Sequence, residues 1–346
     1  MKKGEKVLLA LGALLVAAGV FVGVTLGWDY SPNRYAYNDI DFTAAGTAAG
    51  ECGFVSVRLS DLAVNIYSTT ENTVTVAARG AKTPERVSVA LDGGVLRITE
   101  KRLGLFRRLA ASDDDAVIIR IPEKWIGTVD AATQSGDVYA SGLVSPQLTL
   151  RASSESGAVS ASELKIAEIQ LATTSGDLFV NTIRGGAVTA STTSGYVSLS
   201  DAKTENMSLS SVSGNIFVRN AELTGTLTLH STSGEIDLED VSAGSIEAGT
   251  TSGDLELNEV DTQSLAFTST SGGISGELLH IAEFAANVST VSGDISGVRS
   301  GSEGARTLKI ETISGDIELD GLQKSTPAAA FQKRRSGGFA RICYSL

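Results

Sequence analysis

Acidic side chains are the most regular group that could do chemistry in this sequence of 346 residues. Two consecutive Ser-Gly steps are each followed by a pair of carboxylates at the same spacing, Glu235 with Asp237 and Asp254 with Glu256. Such pairs can bind a cation or a cationic peptide, and they can also act as acid and base in glycoside hydrolysis. Three interpretations stay open: a solvated acidic face, a cation or peptide site, and a catalytic pair. A convex repeat face without long insertions is a poor cleft, which argues against catalysis.

Other chemistry-bearing residues are few and scattered. The two histidines, His230 and His280, have no Ser or Cys partner in a recognisable triad arrangement. The two cysteines, Cys52 and Cys343, lie at opposite ends of the chain, so their spacing predicts neither a metal site nor a disulfide between them. We therefore predict no catalytic residue, no metal and no cofactor.

Aromatic residues form the second candidate site. Phe179, Tyr196 and Phe217 follow three consecutive Ser-Gly steps at positions expected to face outward, and Tyr139 holds such a position earlier in the chain. Clustered exposed aromatic rings usually contact a glycan, a protein partner or another part of the same chain. The pattern predicts a binding patch, unless the C-terminal tail or an N-terminal cap folds over it.

The elements that position these residues are repeats of about 20 residues. Ser-Gly recurs with glycine at 136, 157, 176, 195, 214, 234, 253, 272, 293 and 315. A branched aliphatic residue follows each glycine by two positions, and Ser or Thr precedes it by three. Such a period predicts an all-β protein with a parallel, right-handed β-solenoid of about ten coils. We expect the hydroxyl three before each glycine and the serine directly before it to point inward, with glycine supplying unusual backbone angles at the corner.

The flanks of the array differ from it in composition. From Val7 to Gly27 the chain has 21 consecutive uncharged residues, preceded by lysines, which predicts a single transmembrane signal-anchor helix with the remainder outside the cell membrane. A cleaved signal peptide is the alternative. The predicted organisation is a cytoplasmic flank at 1–6, the span at 7–27, a β-rich cap at 28–125, the solenoid at 126–320 and a basic flexible tail at 321–346.

The formal net charge is −12, and the tail is basic, so the part between span and tail is strongly acidic. An acidic surface repels phosphate backbones, which argues against nucleic acid as a partner. The remaining partner classes are the membrane, through the predicted helix, and a cell-envelope polymer, a cationic peptide or a membrane protein.

The motifs "IRIPEKW" (119–125) and "TQSGDVYASGL" (133–143), followed by repeated Ser-Gly-Asp-aliphatic coils, resemble a bacterial family of unknown function whose β-strand repeats carry the label adhesin. The resemblance covers roughly residues 36–320. The family has no established catalytic residues to carry over, and related members resemble components of Gram-positive envelope-stress systems. We expect an adhesin that contacts envelope or surface polymers. The alternatives are a stress-signalling component that binds cationic peptides or a membrane protein, and a glycan-active enzyme.

Overall fold

The computed structural model describes residues 40–41, 47–48, 52–80, 86–101, 115–298 and 304–322, and these residues form an all-β fold. A short 3-10 turn, Ile281–Glu283, lies among the strands. No helix of the described part is long and apolar enough to span a membrane. The predicted span at 7–27, Cys343 and nearly all of the predicted tail lie outside the described residues.

The described residues contain twenty-five strands. The strands before the repeat array are β1 (Ile40–Asp41), β2 (Thr47–Ala48), β3 (Phe54–Arg58), β4 (Ala63–Thr69), β5 (Thr73–Arg79), β6 (Val87–Asp92), β7 (Val95–Glu100) and β8 (Ala116–Pro122). The strands of the array are β9 (Gly127–Thr133), β10 (Val138–Ser141), β11 (Val144–Ser154), β12 (Val159–Thr173), β13 (Leu178–Arg184), β14 (Ala187–Thr192), β15 (Val197–Thr204), β16 (Met207–Ser211), β17 (Ile216–Leu223), β18 (Thr226–Ser231), β19 (Ile236–Gly249), β20 (Leu255–Thr268), β21 (Ile274–Leu279), β22 (Phe284–Thr290), β23 (Ile295–Ser296), β24 (Arg306–Thr312) and β25 (Ile317–Leu322).

The array is a parallel β-solenoid of about nine turns, which confirms the predicted all-β solenoid with one turn fewer than expected. Equivalent residues of successive coils are paired in parallel register, as in Val159 with Leu178 and Leu178 with Val197. The aliphatic residues two after the glycines are buried, except Ile295 on the last rung. Stacking joins these strips into one continuous core, because a single coil cannot cover its own apolar face.

The glycine corner confirms one part of the prediction and corrects two. At the rung of Gly195, the Thr192 hydroxyl accepts a hydrogen bond from the Gly195 N–H and donates one to the Gly176 carbonyl of the adjacent rung. The hydroxyl column is structural, as expected, and it is buried except at Thr290. The serines directly before the glycines were expected to point inward, but those from 135 to 314 are exposed.

The expected reason for glycine was also wrong. None of the ten corner glycines has a positive φ. A Cβ on Gly195 would instead overlap the carbonyl oxygen of Gly176, and the same overlap recurs from rung to rung. Close stacking of the corners, and not an unusual backbone angle, therefore excludes every side chain larger than hydrogen.

A second corner, six residues after each corner glycine from Gly136 to Gly253, has the left-handed conformation. Most of its residues are not glycine and have φ near +50°: Glu163, Thr182, Asp201, Asn220, Asp240 and Glu259. Asp and Asn tolerate this region better than most residues do. This corner turns the chain away from the strand that carries the candidate site residues.

Both ends of the stack depart from sequence order. At the C-terminal end, the rung made of β24 and β25 is inserted between two rungs that precede it in the sequence. It pairs with β20 and β21 on one side, and with β22 and β23 on the other. At the other end, β3 and β4 lie between β7 and β8 on one side and β9 and β10 on the other. The carboxylates of Asp316 and Glu318 are therefore two rungs from Asp254 and Glu256, although their coil is the third after that of Gly253 in the sequence.

Candidate functional site

The candidate residues lie on the sheet face formed by the strands that follow the corner glycines. Tyr139, Ser160, Phe179, Ser198 and Phe217 are aligned on five successive rungs of this face, and we call them the aromatic column. Rungs of a β-sheet are about 4.8 Å apart, so consecutive rings of the column are about 10 Å apart. A small serine separates each ring from the next.

Neighbouring rings brace two members of the column. Tyr196 lies one rung beyond Phe179 and two residues nearer the corner, and the two ring centroids are 5.4 Å apart in an edge-to-face arrangement of 87°. Tyr139 has a similar contact with Tyr67 of β4, at 5.9 Å and 61°, and its hydroxyl is 3.1 Å from the Ser162 hydroxyl. Edge-to-face pairs fix ring orientation beyond what burial alone would do.

The predicted patch is open to solvent in the described part of the chain. Phe179, Tyr196 and Phe217 expose 37%, 38% and 37% of their surface, whereas Tyr139 is half-buried. Burial and the neighbouring Asp177 carboxylate raise the pKa of the Tyr196 hydroxyl, which therefore stays neutral at physiological pH. The patch presents uncharged rings over at least three rungs.

A groove of about 380 Å³ lies beside the first two rings of the aromatic column. Tyr139 and Phe179 line it together with Ser160, and Asn65 and Asp137 supply polar groups. The side chain of Arg79 and several alanines complete the lining. Its volume is within the usual range for small-molecule sites, and its mixture of rings, amide, hydroxyl and charged groups suits a polar ligand with apolar faces.

The acidic candidates continue the same face directly after the aromatic column. Phe217 is aligned with Asp237, and Asp237 with Glu256. Glu235 and Asp254 precede these two residues nearer the corner, so the structure brings all four predicted carboxylates onto two neighbouring rungs. The aromatic and acidic candidates are thus two ends of one strip.

Asp254 has a structural contact that sequence reasoning missed. Its Oδ1 accepts a hydrogen bond of 2.8 Å from the Gly273 N–H of the next rung. The same corner bond recurs at Asp137, Asp177, Asn215 and Asp316. Asp or Asn directly after the glycine could have suggested this role, because both often bond to nearby backbone N–H groups.

Asp237 is the acidic candidate whose surroundings disfavour its charged form. Burial raises the pKa of its carboxyl, the charges of Glu256 and Glu239 raise it further, and Arg219 opposes them only in part. Arg219 is already paired with Glu239, with their charged groups 2.6 Å apart. Asp237 therefore costs stability when it is ionised.

We expect Asp237→Asn to stabilise the protein at neutral pH by about 0.2–1 kcal/mol, the range for cross-strand pairs. Because the folded-state pKa is raised, the destabilisation by the charged form is fully present above that pKa, decreases as the pH falls through it, and is absent below the ordinary Asp value of about 3.9. Urea unfolding across this pH range measures the difference between variant and parent. Glu247→Gln, an exposed substitution on the opposite face, is the matched control. Equal stability of parent and Asp237→Asn at neutral pH would contradict the interpretation.

The other candidate groups do not converge on a site. His230 is exposed as expected, and His280 is 3.4 Å from Glu283 at the 3-10 turn. Within the described ranges, no group of three or more His, Cys, Asp and Glu residues could hold a metal ion. Cys52 is buried, and its carbonyl accepts a hydrogen bond from the Trp125 indole N–H.

A family model described as Toastrack DUF4097 matches residues 54–239 and 180–320 of this chain. Together the two matches span the whole stack of parallel coils from β3 almost to the end of β25. The chain belongs to the Toastrack DUF4097 family. The predicted resemblance to a bacterial β-strand-repeat family of unknown function is thereby confirmed.

Several solved structures are similar to this Toastrack chain, at low sequence identity. A "putative adhesin" from Parabacteroides merdae is 13% identical, with a TM-score of 0.42, over 78% of this chain and 91% of that one. A "putative adhesin" from Bacteroides fragilis is 12% identical, with a TM-score of 0.34, over 78% and 94%. A "putative lipid binding protein" from Parabacteroides distasonis is 15% identical, with a TM-score of 0.34, over 78% and 93%. No curated protein matches the chain.

Proposed function

We propose that this protein is a non-catalytic binding protein that holds an extended polymer of the bacterial envelope or surface against the aromatic column. The observation that carries the proposal is the ordered row of rings on a regular sheet face beside a groove. Phe179 and Phe217 of the column, and the neighbouring Tyr196, each expose more than a third of their surface. Exposed rings in a row cost solubility, and they commonly mark a contact surface. A solenoid face presents them at fixed spacing, which suits a long ligand better than a compact one.

The proposal includes a position outside the cell membrane. Residues 7–27 are long and apolar enough to form a membrane anchor, and the lysines before them favour a cytoplasmic N-terminus. The binding face would then lie on the side where envelope polymers are found. Protease accessibility of the solenoid in intact cells tests this orientation.

Combined substitution of Phe179, Tyr196 and Phe217 by serine is expected to abolish binding to purified cell walls. Loss of three stacking rings removes most of the apolar contact, and each ring of a binding hot spot typically contributes more than about 1 kcal/mol. Co-sedimentation of labelled 28–346 chain with cell walls across a salt series measures the effect. Binding by stacking should change little with ionic strength, because screening acts on charges.

The matched control replaces Val212 and Val291, two exposed aliphatic residues at the corner, by serine. These changes remove apolar surface of comparable exposure without touching the aromatic column, so wall binding should persist. Equal wall binding by the triple variant and the parent would refute the proposed site.

A stress-signalling role in which the acidic rungs bind a cationic peptide is the alternative. The raised pKa of Asp237 favours it, since a bound cation would offset the repulsion that Asp237 experiences. Peptide binding that falls steeply with salt, and that Asp237→Asn with Glu256→Gln abolishes, would support this role. Saturable, salt-tolerant wall binding would support the adhesin.

A further inference from the structure

We infer that the aromatic column binds an extended, β-linked glycan with a repeat of two sugars, one ring for each disaccharide. This inference rests on the proposed function and names the polymer class that the same face would bind. Its basis is the alternation of rings and serines along five rungs, from Tyr139 to Phe217.

The spacing of the rings matches such a polymer. Two rungs of a sheet span about 10 Å. In an extended β-1,4-linked glycan, neighbouring sugars are turned over relative to each other, so the same sugar face recurs at every second unit, after a comparable distance. Each ring could therefore stack under an equivalent face, and the intervening serines leave room for the sugar that faces away.

The groove supplies the polar contacts that a sugar needs. It lies between Tyr139 and Phe179, one period of the column, and its wall carries the amide of Asn65, the carboxylate of Asp137 and the hydroxyl of Ser160. A sugar presents an apolar C–H face and a rim of hydroxyls, and this lining offers partners for both. The edge-to-face contacts of Tyr139 with Tyr67 and of Phe179 with Tyr196 hold the two rings in place before binding.

Charge excludes the polyanionic members of the polymer class. The column ends at Phe217, and the aligned residues of the next rungs are Asp237 and Glu256. A polymer with phosphate or carboxylate in every repeat would meet like charges there. A neutral glycan fits both ends of the strip.

Defined oligomers of β-1,4-linked N-acetylglucosamine, from two to eight units, test the inference by isothermal titration with the full chain in detergent. The affinity is expected to rise in steps at each second sugar until the three rings are covered, by about tenfold for each ring. Oligomers of α-1,4-linked glucose of equal length curve away from the face and should show no such steps. A smooth rise with length, or equal binding of the α-linked series, would overturn the inference.

A register variant separates the spacing of the rings from their number. Phe217→Ser combined with Ser198→Phe keeps three rings in the column but moves the last one a single rung, so that it no longer lies two rungs from Phe179. We expect this variant to lose the higher affinity for the longer oligomers as fully as Phe217→Ser alone does. The disaccharide should still bind at the unchanged groove. Full affinity of the register variant for the longer oligomers would overturn the role of the spacing.

The two proposals fail in different ways. If the oligomers do not bind but cell walls do, and the triple serine variant loses wall binding, then the two-sugar inference is wrong and the proposed polymer-binding function stands. If neither walls nor oligomers bind, the proposed function falls and the inference falls with it.

Discussion

Replacement of Gly195 by alanine is expected to destabilise the protein by about 3–5 kcal/mol or to prevent folding, the range of the severest single substitutions. The new Cβ would overlap the carbonyl oxygen of Gly176 on the adjacent rung. That carbonyl also accepts the Thr192 hydroxyl, so the two rungs could separate only by breaking the corner hydrogen bonds. Since the obstacle is backbone, no side-chain movement can relieve it.

Equilibrium unfolding in urea measures the effect, and Gly53→Ala is the matched control. Gly53 also has no positive φ, but a Cβ there would meet no atom within 4 Å, so the same substitution should change stability by less than about 0.5 kcal/mol. A Gly195→Ala variant as stable as Gly53→Ala would show that the corners are looser than the stack implies. Because the aromatic column is aligned through these rungs, a partly folded Gly195→Ala variant should also lose wall binding.

The period of the repeat was enough to predict the coil, the buried aliphatic columns and the hydroxyl ladder. It did not reveal why glycine is required, because glycine is selected both where two backbones approach closely and where a residue has the left-handed conformation. The serine before Gly195 was placed inward by strand alternation, but the chain is a turn at that point, where alternation no longer holds.

The order of the rungs could not be read from the sequence. The coils around Gly293 and Gly315 carry the same Ser-Gly-Asp-Ile motif, so either could stack on the coil of Gly272. The structure places the Gly315 coil there and the Gly293 coil outside it. Such insertion at both ends secures the terminal strands between two neighbours, which limits fraying of an otherwise open stack.

The candidate site was predictable where it depends on alternation within a coil. Outward placement of Phe179, Phe217 and the four carboxylates followed from strand parity. The brace of Tyr139 was missed, because Tyr67 comes from a strand about 70 residues earlier whose place in the stack no repeat motif marks. The corner bond of Asp254 was missed because it links two rungs, and sequence spacing alone does not distinguish a structural carboxylate from one available to a ligand.

Arg86→Met is expected to cost about 3–5 kcal/mol, the usual penalty for removing one partner of a buried ionic group. The Arg86 side chain is only 3% exposed and contacts Asp61 at 2.7 Å, Glu100 at 2.5 Å and Asp115 at 3.7 Å. Burial opposes its charge, but hydrogen bonds to Glu100 and Asp61 outweigh this, and the pKa of Arg86 lies above its ordinary value. Methionine fills a similar volume but removes the contacts of the Arg86 guanidinium with these carboxylates.

This cluster connects the outermost rung to the rest of the stack, which is why its loss should spread beyond the cap. Glu100 ends β7, and its second carboxylate oxygen accepts the Ser60 N–H between β3 and β4, 2.6 Å away. Without Arg86, the repulsion among the carboxylates would loosen β7 and β8 from β3 and β4, and β4 carries the Tyr67 that braces the aromatic column. Lys203→Met is the matched control, because Lys203 makes an exposed ion pair with Glu222 and its loss should cost no more than about 1 kcal/mol. Urea unfolding compares the two variants, and hydrogen exchange of β8 shows whether the outer rung opens first. Equal stability of the two variants would mean that apolar packing and strand pairing hold the rung of β7 and β8 without the ion cluster, and that the aromatic column depends on the cap through the pairing of β4 with β10.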